Sequence, residues 1–385
     1  MSLILDEHRE YLADEPRVSA FARAIAEVVK PGSVVVDLGS GTGIMGLLAC
    51  RAGASRVYAI DDGSILELAH EVARANGFDD RIRFIKGLST RVELPEKVDV
   101  VIADQIGHFG FEAGVIEYFT DARRRLLKPH GAMIPARVDL WIAPVEASQL
   151  HEAVEFWAGS QAGFDFHPAR TIAANTGFPT HFMPDQILGD PARLGSLDPS
   201  RADLGSWSFE APLTVARQGT LHGLGGWFTA QLSPNVTMTN SPLAAHHINR
   251  RNVFLPIDRP VQVQKDDRLR VRVQIRPREV FVRWVVEVTG APSKDSRPGS
   301  VKARFTHSTL HGMLISREDL RRTRPDFIPT LTPWGLARQT VLALCDGERA
   351  LRDIEQAVFR RHPDLFSSQA EAATFVAEVV TRYAR

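Results

Sequence analysis

Short apolar runs alternate with segments of helical periodicity from the start of the chain to about Leu127. In the segment up to residue 30, Val18, Phe21 and Ile25 recur at helical spacing, so the pattern predicts helix, which Pro31-Gly32 then ends. The apolar runs bounded by Gly, Pro and Asp predict strands of a parallel sheet that is buried on both faces. The predicted strands span 34–37, 56–61, 82–86 and 98–104, and the predicted helices span 44–52, 64–76 and 113–127.

This alternation predicts an α/β fold with a doubly wound, Rossmann-like sheet, because crossovers between parallel strands are right-handed. Ligands of such sheets bind outside the carboxyl ends of the strands. Asp37, Asp61 and Asp104 each stand at the end of a predicted strand. We therefore expect the functional site at that edge of the sheet.

The pattern changes after Pro135. Val138–Val145 alternates as a strand, whereas residues 158–205 are rich in Gly, Pro, Asp and small residues and predict an arm with little regular structure. Alternating strands from 213 to 314 predict an antiparallel β-barrel or sandwich. A charged stretch with several prolines, 315–331, predicts a linker, and three helical segments follow it.

These changes divide the chain into three predicted domains. Residues 1–145 hold the parallel sheet. Residues 146–316 hold the antiparallel barrel, with the arm at about 160–200. Residues 326–385 form a small C-terminal module.

Composition excludes several classes of function. Lys and Arg number 46 and so do Asp and Glu, whereas proteins that bind nucleic acid usually present a basic face. Cys50 and Cys345 lie far apart with no C-x-x-C pattern, which fits a reducing compartment and no metal cluster. No apolar run approaches transmembrane length, and the first residues do not resemble a signal peptide. We expect a cytoplasmic enzyme with no nucleic-acid or membrane partner.

The strongest chemical signal is the segment V-V-V-D-L-G-S-G-T-G at 34–43. Glycines in this turn let the backbone bend sharply and approach a ligand closely, and Asp61 after the next strand can accept two hydrogen bonds from ribose hydroxyls. Asp37 precedes the first glycine, which disfavours a phosphate and suits the ammonium group of S-adenosylmethionine. The alternative is an ordinary strand–helix turn. We predict S-adenosylmethionine as cofactor, held by Asp37, Gly39, Ser40, Gly41, Gly43 and Asp61.

Further segments narrow the prediction: 8–17 (H-R-E-Y-L-A-D-E-P-R), Ile85-Lys86-Gly87 with Val98–Asp104, Gly163-Phe164-Asp165, and Gly226-Trp227-Phe228. Over roughly residues 8–314 the chain resembles the protein arginine methyltransferases. The resemblance implies a class I methyltransferase domain followed by a barrel, and a homodimer formed through the arm. It also implies that Arg17 clamps the cofactor carboxylate and that Thr90, next to Ser89, holds an adenine-contacting position.

The acceptor side departs from that family. The resemblance implies two glutamates that grip a guanidinium, but this loop runs from Asp104 to Glu112, with a shorter first acid and a second acid one residue early. These two carboxylates are the candidates to orient the acceptor, and His108 is a candidate proton acceptor or a plain surface histidine. The family's threonine-histidine-tryptophan motif is replaced by A-H-H-I-N, so His246 or His247 is expected to contact substrate. A metal site there is not expected, because no third ligand has suitable spacing.

The C-terminal module carries a second resemblance. L-A-L-C-D-G-E-R at 342–349, leading into L-R-D-I, is similar to the small winged-helix domain of the pyrroloquinoline-quinone chaperone type. That resemblance implies recruitment of leader peptides of ribosomally made natural products by addition of a strand to a sheet edge. The alternative is a helical extension.

Together these features predict a methyltransferase that acts on a ribosomally made precursor peptide recruited by the C-terminal module. The alternatives are a protein arginine N-methyltransferase and a small-molecule N- or O-methyltransferase. A protein that binds S-adenosylmethionine without catalysis is the alternative outside the enzymes.

Overall fold

The parallel sheet predicted for the first part of the chain is confirmed. The computed structural model describes residues 4–202, 204–291 and 300–384. The strands of the first sheet are β1 (Val34–Leu38), β2 (Arg56–Asp61), β3 (Ile82–Lys86), β4 (Val98–Ala103) and β5 (Leu127–Ile134). Their order is β3-β2-β1-β4-β5, with every neighbouring pair parallel. Every residue of β1 is buried, as its unbroken apolar run predicts.

Four helices pack against this sheet, α2 (Glu15–Val28), α3 (Ile44–Arg51), α4 (Ile65–Ala75) and α5 (Val115–Arg125), and α1 (Ile4–Ala13) packs against α2. The predicted N-terminal helical segment is divided in two at Asp14, whose side chain accepts the N–H of Arg17 and caps α2. Pro16 lies in the first turn of α2, where the N–H that proline lacks would have no helical partner.

The strand order reverses between β1 and β4. From β1 the chain adds β2 and β3 on one side, and it then crosses to the other side for β4 and β5. A crevice forms at such a switch point, outside the carboxyl ends of the two central strands. Asp104, just after β4, lines this crevice, whereas Asp37 near the end of β1 is buried.

The later strands are β6 (Arg137–Val145), β7 (Ser160–Gln161), β8 (Phe164–Asp165), β9 (Phe178–Thr180), β10 (Ala192–Leu197), β11 (Trp207–Thr214), β12 (Gly219–Ser233), β13 (Val236–Thr239), β14 (Asn252–Val263), β15 (Arg268–Arg276), β16 (Phe281–Thr289) and β17 (Val301–Ser308). One antiparallel sheet has the order β10-β6-β12-β14-β9, with β13 paired to β12, and another has the order β11-β15-β16-β17. The region predicted as a barrel is thus hydrogen-bonded as separate sheets.

A shared core joins these sheets. Burial alternates strictly along β16, so that Trp284 points inward with none of its surface exposed. Its indole N–H donates to the carbonyl of Pro256 on β14, 2.8 Å away. The indole therefore fills the core and also satisfies a polar group of the facing sheet.

The arm is shorter than predicted. It contains α6 (Ser148–Glu155), a one-turn 3₁₀ helix, the β7–β8 hairpin and α7 (His167–Ala173). The second half of the predicted 160–200 segment instead contributes β9 and β10 to the antiparallel sheet. Pairing with core strands gives these Gly- and Pro-rich residues a structure that their own pattern does not predict.

The contacts divide the chain into two units, Met1–Met313 and Leu314–Arg385. In the second unit, the described residues 314–384 form α8 (Arg317–Arg322), α9 (Pro333–Leu344), α10 (Leu351–Arg361) and α11 (Gln369–Tyr383) and no strand. Part of the predicted linker is therefore helical. The predicted winged helix needs a β-hairpin, and the predicted mode of peptide capture needs a sheet edge; the described residues provide neither.

Among the residues that the structure describes, none of the helices combines the length and the hydropathy that crossing a bilayer would require.

We predict that residues 314–385 fold alone, because they have their own core, which includes Val341, Val358 and Val376, each with none of its surface exposed. Val341→Asp should abolish cooperative thermal unfolding of the isolated segment, since a buried carboxylate costs on the order of 3 kcal/mol or more. Leu342→Asp is the matched control, because Leu342 is 44% exposed. Circular dichroism would measure both. Equal melting temperatures for the two variants would contradict the prediction.

Candidate functional site

Asp61 organises the glycine turn that follows β1. Its Oδ2 accepts the N–H of Gly41 at 2.9 Å, and its Oδ1 accepts the N–H of Gly63 at 2.8 Å. Gly41 has a φ of 54°, a conformation that favours glycine. A carboxylate oxygen has more than one acceptor direction, so Asp61 keeps capacity for ligand hydroxyls. The predicted role of Asp61 is compatible with this geometry.

Asp37 lies behind the turn and not in front of it. Its side chain is 2% exposed and accepts the N–H of Gly46, in the first turn of α3, at 3.1 Å. The N-cap of α3 is Gly43, which has no side chain to cap the helix, so Asp37 satisfies one of its free N–H groups. Burial raises the pKa of Asp37 to about 7. Asp37 is not among the described residues that line the two cavities of this site. The structure therefore does not place it for the predicted contact with a cofactor ammonium.

A cavity of about 280 Å³ opens in front of the turn. Its lining comes from α1, α2, the glycine turn, the loop after β4 and the segment before β14: His8, Tyr11, Leu12, Arg17, Gly39, Ser40, Gly41, Thr42, Ile44, Asp104, Gln105, Gly107, His108, Ala113 and Arg250. The His8 ring lies against Gly41, where an added Cβ would stand 2.7 Å from its Cε1. The backbone conformation favours glycine at 41, and a side chain there would have to displace the His8 ring.

A second cavity of about 100 Å³ adjoins the first and is lined by Gly39, Ile60, Asp61, Asp62, Gly87, Leu88, Ser89, Gln105 and Tyr118. Within the described part of the chain, Ser89 lines this cavity and Thr90 does not. The Gln105 amide stands between the two cavities, so close to Gly39 that a Cβ there would lie 1.6 Å from its Nε2.

Two polar atoms at this boundary are buried and have no hydrogen-bond partner in the described residues: Ser40 Oγ and Gln105 Oε1. Such orphaned atoms are uncommon in protein interiors and call for an explanation. A ligand with a polar amino-acid part in the first cavity and a nucleoside in the second would supply partners for both. The residues present therefore fit S-adenosylmethionine.

Asp104 lies between two guanidinium groups. Its Oδ2 accepts the Nε–H of Arg17 at 2.5 Å and an Nη2–H of Arg250 at 3.1 Å. Arg17 also donates from Nη1 to the carbonyl of Tyr11 at 2.9 Å. All three charged side chains are at most 11% exposed. Arg17 has donors beyond these bonds, so it can still hold a cofactor carboxylate as predicted.

Glu112 folds back onto its own loop. Its carboxylate accepts the backbone N–H groups of His108, Phe109 at 2.9 Å and Phe111 at 3.3 Å. The structure thus brings Asp104 and Glu112 to one loop, as predicted, but both carboxylates already bind groups of this chain.

His108 lines the first cavity. Burial lowers the pKa of its imidazole, which therefore stays neutral at pH 7 and can accept a proton. Its Nδ1 is buried and has no hydrogen-bond partner among the described residues. This placement keeps His108 as a candidate base.

The predicted substrate histidines lie elsewhere. His246 and His247 are exposed and line two separate clefts. Arg250 enters the first cavity instead, because the N–H of Asn249 donates to Asp14 Oδ2 at 2.9 Å and fixes the preceding backbone. Arg250 is a site residue that the sequence pattern does not identify, because its only local signal is the Arg250-Arg251 pair directly before a strand. In the described part of the chain, no group of three or more His, Cys, Asp or Glu residues is placed to hold a metal ion.

Two family models match the chain. The arginine methyltransferase oligomerization subdomain matches residues 136–285, and the ribosomal protein L11 methyltransferase model matches residues 20–136. Neither extends into the C-terminal unit. The boundary between the two models falls where the parallel sheet gives way to the antiparallel sheets.

Curated relatives match most of the chain. Protein arginine N-methyltransferase 6 of Xenopus laevis is 28% identical over 291 residues, which cover 71% of this chain and 84% of the relative. Protein arginine N-methyltransferase 1 of Chlamydomonas reinhardtii is 29% identical over 279 residues, which cover 70% of this chain and 80% of the relative.

Solved structures share the fold. The Trypanosoma brucei PRMT1 enzyme-prozyme heterotetrameric complex with AdoHcy has a TM-score of 0.67 at 22% identity and covers 78% of this chain and 97% of its own. Arabidopsis thaliana protein arginine methyltransferase 10 has a TM-score of 0.68 at 23% identity and covers 79% and 98%.

These comparisons confirm the predicted enzyme class and cofactor. The chain is an S-adenosylmethionine-dependent methyltransferase similar to protein arginine methyltransferases, with a Rossmann-like core followed by antiparallel sheets. The resemblance seen in the sequence over residues 8–314 agrees with the matched region. No comparison supports the second resemblance, in the C-terminal unit.

Asp37 should make stability depend on pH. In the folded chain the Asp37 carboxyl keeps its proton up to about pH 7, whereas in the unfolded chain it loses the proton near its ordinary pKa of 3.8. The folded state therefore binds the extra proton between these pH values, and its stability falls as pH rises through this window. Each pKa unit represents 1.36 kcal/mol, so the free energy of unfolding should fall by at most about 4 kcal/mol across this window.

Urea unfolding at pH 5 and pH 7.5 would measure this effect. Asp37→Asn should remove this contribution, so the wild-type chain should lose more stability than the variant on going to pH 7.5. Asp62→Asn, at an exposed neighbouring position, is the control. Parallel pH profiles for the wild type and Asp37→Asn would show that the prediction is wrong.

Proposed function

We propose that this enzyme transfers a methyl group from S-adenosylmethionine to a side-chain nitrogen of arginine in a protein or peptide. One observation carries the proposal: a buried carboxylate beside the glycine turn, that of Asp104, already binds guanidinium groups. Carboxylates and guanidinium groups match in both charge and geometry. The first cavity therefore contains the chemistry that an arginine acceptor requires. The named relatives support the same acceptor.

Residues of this chain would hold the donor in both cavities. Arg17 would bind its carboxylate, Ser40 its amino-acid part, and Asp61 and Ser89 its nucleoside. When bound, S-adenosylmethionine supplies a methyl group whose C–S bonding electrons return to sulfur as the new C–N bond forms. Binding both reactants in one cavity removes most of the entropic barrier to their meeting.

The acceptor nitrogen must also lose a proton. Asp104 would hold the guanidinium so that one nitrogen faces the methyl group. His108 lines the same cavity and is neutral at pH 7, so it can take the proton that the methylated nitrogen releases. Glu112 would act indirectly, because its bonds to backbone N–H groups shape the loop that carries His108.

The test is transfer of a labelled methyl group to an arginine-rich peptide and to the same peptide with lysine at each arginine. Label should appear only on arginine. Asp104→Asn should lower kcat/KM about a hundredfold, because misplacing the acceptor nitrogen by about 1 Å can slow the reaction by that factor. Asp61→Asn should abolish transfer through weaker cofactor binding.

Other outcomes would identify the alternatives. Transfer only to small amines, hydroxyls or carboxylates would indicate a small-molecule N- or O-methyltransferase. Tight cofactor binding with no transfer to any acceptor would indicate a protein that binds S-adenosylmethionine without catalysis. Either result would contradict the proposal.

We further propose that two copies associate through the arm. Aromatic side chains project from it: Phe156 is 51% exposed, Phe164 71% and Phe166 38%. Exposed aromatic clusters of this kind mark interaction sites. The match to an oligomerization subdomain supports the same conclusion.

Light scattering over a dilution series should therefore give twice the chain mass for the wild type. Phe164→Ser should weaken association about tenfold or more, since buried aromatic residues dominate interface energies. Met183→Ser is the control, because Met183 is 62% exposed and lies outside the arm. A monomeric wild type, or equal effects of both substitutions, would refute the proposal.

Capture of a ribosomally made precursor peptide by residues 326–385 stays a prediction. Its support is the exposed apolar surface of the unit, which includes Leu331, Trp334 and Leu336, each about half exposed. A peptide would have to dock on helices, since the described residues of the unit contain no strand. Comparing methylation of a precursor and of its leaderless core, by the full chain and by a chain ending at residue 325, would decide this.

A further inference from the structure

We infer that Arg250 is a built-in competitor of the substrate and so a determinant of specificity. Its guanidinium occupies the Asp104 carboxylate that an arginine acceptor would use, and it must withdraw before the acceptor binds. This inference rests on the proposed function and adds a property of the same site that the comparisons do not give.

Arg250 contacts Asp104 in the way that a substrate guanidinium would. Nη2 of Arg250 lies 3.1 Å from Asp104 Oδ2, and Nη1 lies 3.4 Å from both Oδ1 and the carbonyl oxygen. Two nitrogens of one guanidinium thus face one carboxylate, as in bidentate pairs. Because Arg250 itself lines the first cavity, a substrate guanidinium would need the same place.

Charge makes joint occupation unfavourable. Arg17 and Arg250 carry two positive charges against the single negative charge of Asp104. A third guanidinium brought to this carboxylate would meet two like charges in a largely buried place, where screening by water and salt is weak. Glu112 offers this guanidinium no direct partner while its oxygens accept backbone N–H groups of their own loop.

Of the two arginines, Arg250 is the one that can leave. Arg17 stands in the first turn of α2 and is also bonded to the carbonyl of Tyr11. Within the described part of the chain, the side-chain hydrogen bonds of Arg250 all go to Asp104. The backbone beside it is fixed by the bond from Asn249 to Asp14, so release requires only rotation of the side chain.

Loss of Arg250 should also be tolerated by the fold. Asp104 would keep its bond to Arg17, so no unpaired buried charge would remain. A substitution of Arg250 therefore tests competition for Asp104 and not the stability of the fold.

The test compares Arg250→Gln with Arg251→Gln, an exposed neighbour, in the full chain saturated with S-adenosylhomocysteine. The probe is N-acetyl-arginine amide, titrated by calorimetry. If Arg250 holds Asp104 in most molecules, its removal should tighten probe binding about tenfold or more, because apparent affinity scales with the fraction of open sites. KM for an arginine-rich peptide should fall by a similar factor, and Arg251→Gln should match the wild type.

Equal or weaker probe binding by Arg250→Gln would overturn the inference, since Arg250 would then assist the acceptor. Arg250→Met, which keeps the volume without the charge, guards against an effect of glutamine itself and should also bind more tightly. Failure of both variants to fold, judged by thermal melting, would assign Arg250 to the fold and likewise overturn it. Tighter probe binding without any transfer to arginine would refute the proposed function and leave the competition intact.

Discussion

The Asp104 carboxylate, held between Arg17 and Arg250, is the interaction on which the rest of the site depends. It ties together α2, the loop after β4 and the segment before β14, which are far apart in sequence. Ions this deeply buried are stable only when their geometry is good, because each has given up its water. In this arrangement the ion network sets the charge of the first cavity, and Arg250 occupies part of its space.

Features with a local signal could be predicted from the sequence. The parallel strands follow from short apolar runs, and the glycine turn follows from the need for positive φ at positions such as Gly41. Asp61 is predictable because the carboxyl ends of neighbouring parallel strands meet at the same edge of the sheet as that turn. The pattern from 213 to 314 predicts antiparallel strands, but their division into sheets depends on pairings between distant segments.

Features set by distant partners could not be predicted. Arg250 enters the cavity because a bond between Asn249 and Asp14, 235 residues apart, directs its segment. Asp37 was expected in front of the turn, but α3 lacks a capping side chain and takes this carboxylate instead. The resemblance of the C-terminal unit implies a sheet edge, yet its described residues form helices whose buried apolar side chains pack against one another.

The Gln105 amide that separates the two cavities places the donor and acceptor sides next to each other in sequence. A molecule that spans both cavities passes this amide, which lies against Gly39. Gln105 directly follows Asp104, the carboxylate that faces the acceptor. If filling the donor side changes the affinity of the acceptor side, reciprocity requires the acceptor to change the affinity for the donor by the same factor.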